Sequence, residues 1–216
     1  FDVQPFYRRE DVLKLKTPEA LPGEFPFVRG NKKTDNSWFV RQNILCDDAK
    51  NANEKAKKLL TKGITSFGFK VPKALLSAEY VSTLLDGIDC EKIDVNFSTC
   101  KRRSLDLAQM LADYFTAKGY DKQKVMGSIE WDPMEKIVKR GVDVTPILSK
   151  ASELISILAE YPHFRVIAVN SSTLNNSGAY IVQELGYALS WGNEYMNLLT
   201  SQGVDADVAA NNIKFN

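Results

Sequence analysis

From Ser37 onward, short apolar runs alternate with amphipathic stretches, and most pairs are punctuated by a capping residue and a glycine. The runs WFVRQNIL (38–45), ITSFGFKV (64–71), KIDVNFST (92–99), KVMGSIEW (124–131), FRVIAVN (164–170) and NIKFN (212–216) have the β-branched and aromatic content of strands. Between the first four, helices are predicted over 49–62, 78–86 and 105–118. Asp47 or Asp48, Ser77 and Ser104 cap them, and Gly63, Gly87 and Gly119 stop them. Thr145-Pro146 starts another helix through ILSKASELISILAEY (147–161), with the threonine as cap and the proline in the first turn. A long helix from about Gly178 to Thr200 ends before Gly203. Strict strand–helix alternation predicts a parallel sheet with helices outside it.

Two windings satisfy that pattern, a doubly wound open sheet and a (β/α)8 barrel. No GxGxxG and no GxxxxGK[ST] follows any strand, so the nucleotide signature of the first is missing. Small polar residues gather at the C-terminal strand ends instead: Ser98-Thr99, Ser128 with Glu130, and Asn170 to Thr173. A barrel enzyme builds its site at those ends. The expected fold is therefore α/β, of the (β/α)8 TIM-barrel type, with about six strands in residues 37–216 and an extended N-terminal arm over 1–36. Two open strand edges would need a cover. Within the arm, the prolines of PGEFPFVRG (22–30) favour an extended path, its phenylalanines need something to bury against, and Arg29 is its one charged donor.

The chain has 216 residues, 44% of them hydrophobic, and a net charge of +1. The densest basic cluster, Lys101-Arg102-Arg103, reads as a solvated helix start, so nucleic acid is not an expected partner. No apolar run approaches the ~20 residues that span a bilayer, so no membrane is expected either. The opening FDVQPFYRRE is not a signal peptide, and the missing Met suggests a clipped start. Cys46, Cys90 and Cys100, widely spaced, read as reduced thiols of a cytoplasmic protein. His163, the single histidine, can build neither a His-rich metal site nor a triad. Leu105, Leu107, Leu111 and Phe115 read as a core stripe, and the sequons at Asn96, Asn170 and Asn175 as chance matches.

Four stretches together resemble the methylmalonyl-CoA mutase family. They are PGEFPFVRG followed by W-x-V-R-Q, LLDGIDCEKIDVNFS (84–98), MGSIEWDPMEKIVKR (126–140) and SGAYIVQELGYALSWGNEYMNLLTSQGVD (177–205). The resemblance is closer to the small, non-catalytic subunit of bacterial heterodimeric forms. It implies a barrel that threads a CoA ester along its axis, and adenosylcobalamin carried by the partner, a large catalytic subunit. No cofactor is expected on this chain, whose end precedes any DxHxxG motif. Carried over by position, Arg29 would lie near the CoA, Arg140 would meet the substrate carboxylate, and Ser98, Thr99 and Ser128 would line the pocket. The competing readings are a surface or subunit-contact arginine for Arg29, a solvated helix end for Arg140, and simple caps for the hydroxyls.

Three departures from the family pattern stand out. Glu130 replaces a neutral amide, and a buried carboxylate repels an anionic substrate. Residues 31–40 hold no tyrosine. Thr173 falls where the family carries a histidine, and a threonine hydroxyl cannot serve as an acid. No catalytic residue and no metal ligand is expected. The resemblance thus implies a structural partner in the isomerisation of succinyl-CoA and methylmalonyl-CoA, with a CoA-ester binding module as the alternative. An independent enzyme is disfavoured by the lack of any clustered acid–base pair.

Overall fold

The computed structural model describes residues 3–15 and 19–216. The chain divides into two units, 1–38 and 39–216. Parts of the expected arm, at 1–2 and 16–18, lie outside the described residues.

Among its described residues the first unit holds one short helix, α1 (Arg9–Val12). PGEFPFVRG is not extended there. Its ends meet, with Gly23 N–H donating to Gly30 O at 2.9 Å, and inside the loop Phe27 N–H donates to Glu24 O and Gly30 N–H to Phe27 O. Gly23 and Gly30 both adopt positive φ, which reverses the chain at either end and overrides the straightening effect of the prolines. Phe25 and Phe27 meet edge to face at 6.0 Å.

The second unit runs β1 (Arg41–Leu45), α2 (Ala49–Leu60), β2 (Ser66–Lys70), α3 (Ala78–Leu85), β3 (Asp94–Ser98), a 3-10 turn (Lys101–Arg103), α4 (Ser104–Lys118), β4 (Gly127–Trp131), α5 (Glu135–Arg140), α6 (Thr145–Leu148), α7 (Ala151–Ile157), β5 (Phe164–Val169), α8 (Ser172–Asn176), α9 (Ile181–Ser201), α10 (Ala206–Asn212) and β6 (Ile213–Phe215). The six strands form one parallel sheet in the order β1-β2-β3-β4-β5-β6. No point of reversal interrupts that order, as it would in a doubly wound sheet.

Period-two alternation sorts the strand residues onto two faces. Ile44, Phe67, Phe69, Val95, Phe97 and Ile129 are buried in one cluster with helix residues such as Ala56, Leu84, Leu107 and Leu111. Three of these rings pack together, Phe67 against Phe69 along β2 at 5.4 Å and Phe69 against Phe97 of the neighbouring β3 at 5.6 Å. Each fully buried phenylalanine contributes roughly 1.5–3 kcal/mol of transfer free energy. The apolar core therefore lies between sheet and helices.

The opposite face carries Arg41, Asn43, Ser66, Asp94, Asn96, Ser128, Glu130 and Lys214, and it is concave. Three strand spacings, ~14 Å in a flat sheet, separate β1 from β4. Yet Arg41 Nη2 lies 2.6 Å from Glu130 Oε1. β6 and β3 are equally far apart in order, and Lys214 Nζ lies 3.2 Å from Asn96 Oδ1. Only a curled sheet brings these side chains together. Gly68 gives the guanidinium its path, because a Cβ there would sit 2.6 Å from Arg41 Nη2 and 2.1 Å from Asn43 Oδ1.

Capping follows the expected chemistry at α2 and α3, where Asp48 accepts from Asn51 N–H and Ser77 from Tyr80 N–H. It differs at α4 and α6. Ser104 is buried inside α4 because the 3-10 turn carries the helical path one turn earlier. Thr145 is likewise inside its helix, and Asp143 Oδ1 accepts the Thr145 N–H at 2.9 Å.

The single helix expected over 147–161 is broken into α6 and α7, and the cause is one side chain. Gln202, at the end of α9, donates to Leu148 O and accepts from Ser152 N–H, each at 3.0 Å. Those two groups would bond each other in an unbroken α-helix, so the amide has inserted itself into the ladder. Gln202→Met fills similar space but bonds neither group. We expect a loss of about 1–3 kcal/mol, measured as a lower urea midpoint with an unchanged slope.

Candidate functional site

A cavity of about 500 Å³ opens on the concave face toward the C-terminal strand ends. Arg41, Lys70, Asn96, Ser98 and Glu130 line it. Parallel strands place these side chains together through their register. Asn96 sits opposite Ser128, and Lys70 opposite Ser98.

The charges on this face are largely consumed by one another. Glu130 pairs with Arg41 at 2.6 Å and with Lys214 at 3.8 Å. Arg41 Nε also donates to Asn43 Oδ1. Lys214 Nζ bonds Asn96 Oδ1 and Ser128 Oγ, both at 3.2 Å, and Ser128 Oγ donates to Asn96 Oδ1 at 2.5 Å. Asn96 Nδ2 donates to Asp94 Oδ2 at 2.6 Å, which also accepts from Ser66 Oγ at 2.5 Å. Burial, and then the neighbouring Arg41 charge, hold the Lys214 ammonium below the ordinary lysine range, while Glu130 and Asp94 pull it back up.

A second network sits beside the cavity, where β4 and β5 end. Asp132 is fully buried. It accepts from Tyr195 Oη at 2.7 Å and from the N–H and Nδ2 of Asn170 at 2.9 and 3.0 Å. One carboxylate thus ties the end of β4 to the end of β5 and to α9. Burial raises its pKa, and the Tyr195 and Asn170 bonds moderate the rise. Burial also raises the Tyr195 phenol, reinforced by the Asp132 charge. Lys101 is held nearby, donating to Glu130 O at 2.8 Å, and burial lowers its ammonium.

The residues expected from the sequence are divided among several places. Ser98 and Glu130 line the cavity. Ser128 is buried and bonded into its wall. Glu130 is not the isolated buried carboxylate expected, since two cations neutralise it, so its presence alone does not make the cavity repel anions. Thr99 lines a neighbouring cavity. Thr173 is buried in α8 and donates to Glu135 Oε1 at 3.1 Å. Arg140 is exposed at the last position of α5 and makes no ion pair among the described residues. Arg29 belongs to the first unit, where its guanidinium donates to Ala20 O at 3.3 Å. Arg41, Asn96, Lys101, Asp132 and Lys214 were missed by the sequence reading. The signal for Arg41, Asn96 and Lys214 was the alternation of polar residues along the strands, which marks a hydrophilic inner face.

Asp132 carries a pH prediction. Its folded pKa lies above the unfolded value of ~3.9, so the fold carries no penalty below that value. The penalty grows as pH rises toward the folded pKa and is complete above it. Tyr195→Phe removes a donor to the ionised form and enlarges the penalty. The variant should be less stable than wild type by about 1.5–3 kcal/mol at neutral pH, with the gap closing as pH falls through the raised folded pKa of Asp132 and already gone near pH ~4. Denaturation series at several pH values measure it.

Comparison with known proteins places this geometry in context. The profile of one family, Methylmalonyl-CoA mutase, matches residues 1–73 and 70–216. A "Methylmalonyl-CoA mutase small subunit" of Porphyromonas gingivalis is 41% identical over 217 aligned residues, which cover 100% of this chain and 35% of that one. Another, of Streptomyces virginiae, is 29% identical over 98% of this chain and 34% of its own. A "Methylmalonyl-CoA mutase" of Rhizobium meliloti is 26% identical over 99% of this chain and 34% of its own. The chain spans about a third of the length of these relatives.

Proposed function

Because the chain belongs to the methylmalonyl-CoA mutase family, we propose that it is part of a mutase small subunit. In this reading it contributes most of a (β/α) barrel, assembles with a large catalytic subunit, and performs no chemistry itself. The observation that carries the reading is how the charges are spent. Arg41, Lys214 and Glu130 close on each other across the concave face. Thr173, at the position where a histidine would act, is buried and committed to Glu135.

The curled sheet with sequential strand order supports a barrel, and its edges at β1 and β6 call for a protein cover. Ile181, Val182, Leu185 and Leu189 are also exposed, at the start of α9. An apolar stripe of that kind suits a protein interface.

The residues at the C-terminal strand ends of this chain include no histidine that could hold adenosylcobalamin. His163 is its only histidine and precedes the first residue of β5, at the opposite end from Ser98 and Glu130. In the proposed reading the partner subunit carries the cofactor. Among the described residues, no helix is long and apolar enough to cross a membrane.

Isomerisation of methylmalonyl-CoA in the presence of adenosylcobalamin tests the proposal. The protein alone should give no turnover, and mixing with the large subunit should give a complex by size exclusion together with activity. Turnover by this protein alone would overturn it. The alternative, a CoA-ester binding module, draws on the cavity and on Arg140, exposed and without an ion pair among the described residues. Calorimetry with succinyl-CoA on wild type and Arg140→Ala decides it. A weakening of at least tenfold on substitution supports the module, and no measurable binding removes it.

A further inference from the structure

A second cavity of about 500 Å³ lies over the C-terminal ends of β1, β2 and β3, and its charge is not balanced. Lys70, Lys73 and Lys101 line it, against the single carboxylate of Asp47. Lys70 and Lys73 are exposed and make no ion pair among the described residues. Lys101 differs from both. Its amine is anchored to Glu130 O and its side chain is only 13% exposed, so it offers a fixed positive point. Ser98 and Thr99 add hydroxyls to the wall, and Thr99 Oγ1 is buried with no hydrogen-bond partner among the described residues. Immediately beyond, the 3-10 turn Lys101–Arg103 leads into the fifteen-residue helix α4. Its N-terminal end adds positive potential at the same strand end.

We propose that this cavity binds a small dianion of the phosphate class. Lys101 Nζ lies 4.0 Å from Glu135 Oε2, so Lys70 and Lys73 against Asp47 leave the positive excess that a bound phosphate offsets. Lysines meet phosphate as compact point charges and require no planar fork. Ser98, on the cavity wall, offers a hydroxyl donor that can fix orientation. On the concave face nearby, Arg41 and Lys214 are occupied by Glu130. Here two of the three cations have no ion-pair partner among the described residues, and an added anion completes the set. The inference stands on these residues and not on the subunit assignment.

Phosphorus NMR of the protein, titrated with inorganic phosphate at low ionic strength, tests it. Saturable binding is expected. Lys70→Gln/Lys73→Gln, which changes two exposed side chains, should weaken it at least tenfold while circular dichroism stays unchanged. Lys122→Gln/Lys124→Gln, at the start of the approach to β4, should leave it intact. Bound phosphate should also slow alkylation of Cys100, which lines the cavity, whereas Cys46 and Cys90 are buried. Glycerol 2-phosphate in place of inorganic phosphate tells whether an esterified group is also taken, and saturable binding of either supports the site. The proposal is overturned if neither binds saturably, if both double variants weaken binding equally, or if succinate competes as well as phosphate does.

Discussion

The two-sided chemistry of the strands governs everything else in this molecule. In SFGFK and DVNFS, phenylalanine and valine alternate with serine, glycine, aspartate, asparagine and lysine. A shift of register by one residue would exchange the faces and bury those polar groups under the helices. The Phe67, Phe69 and Phe97 stack therefore fixes more than a core. It fixes which residues face inward, and so it determines that the concave side is lined with charge and hydrogen-bonding groups. A closed barrel commonly fills that side with branched apolar side chains. Here the polar lining needs partners, and it finds them across the curl.

Those partners explain why Glu130 changes meaning between sequence and structure. Read alone, a carboxylate at that strand end argues against an anionic ligand. Paired with Arg41 and flanked by Lys214, it becomes one element of a nearly neutral set. Desolvation makes each of these charges unfavourable in isolation, so their mutual satisfaction is a condition of the curled form. Gly68 belongs to the same device, since any larger residue would push the guanidinium from its path.

Much of the fold was legible because local chemistry is local. The six strands, the Asp48 and Ser77 caps and the sequential βα rhythm all follow from spacing within a few residues. What escaped depends on distance along the chain. The break between α6 and α7 is made by Gln202, fifty residues after Ser152. Arg41 meets Glu130 across 89 positions, and Lys214 meets Asn96 across 118. No window of sequence contains both members of such a pair. PGEFPFVRG failed for a different reason. Proline restricts φ, but the two glycines with positive φ decide where the path turns, and composition does not show which torsion a glycine takes.

Charge pairing also separates the two cavities in kind. On the concave face the cations and the carboxylate are mutually bound, and any charged ligand would first have to break Arg41 from Glu130. A charge-assisted bond of that sort is worth roughly 1.5–3 kcal/mol, so the ligand would begin at a disadvantage of one to two orders of magnitude in affinity. At the ends of β1 to β3, Lys70 and Lys73 have no such bond to break among the described residues, and the anchoring of Lys101 has already restricted one of the three donors. Preorganisation of that kind lowers the ordering entropy a ligand must overcome. The chemistry of the strands thus spends the interior charges on one another and leaves Lys70 and Lys73 exposed at the rim.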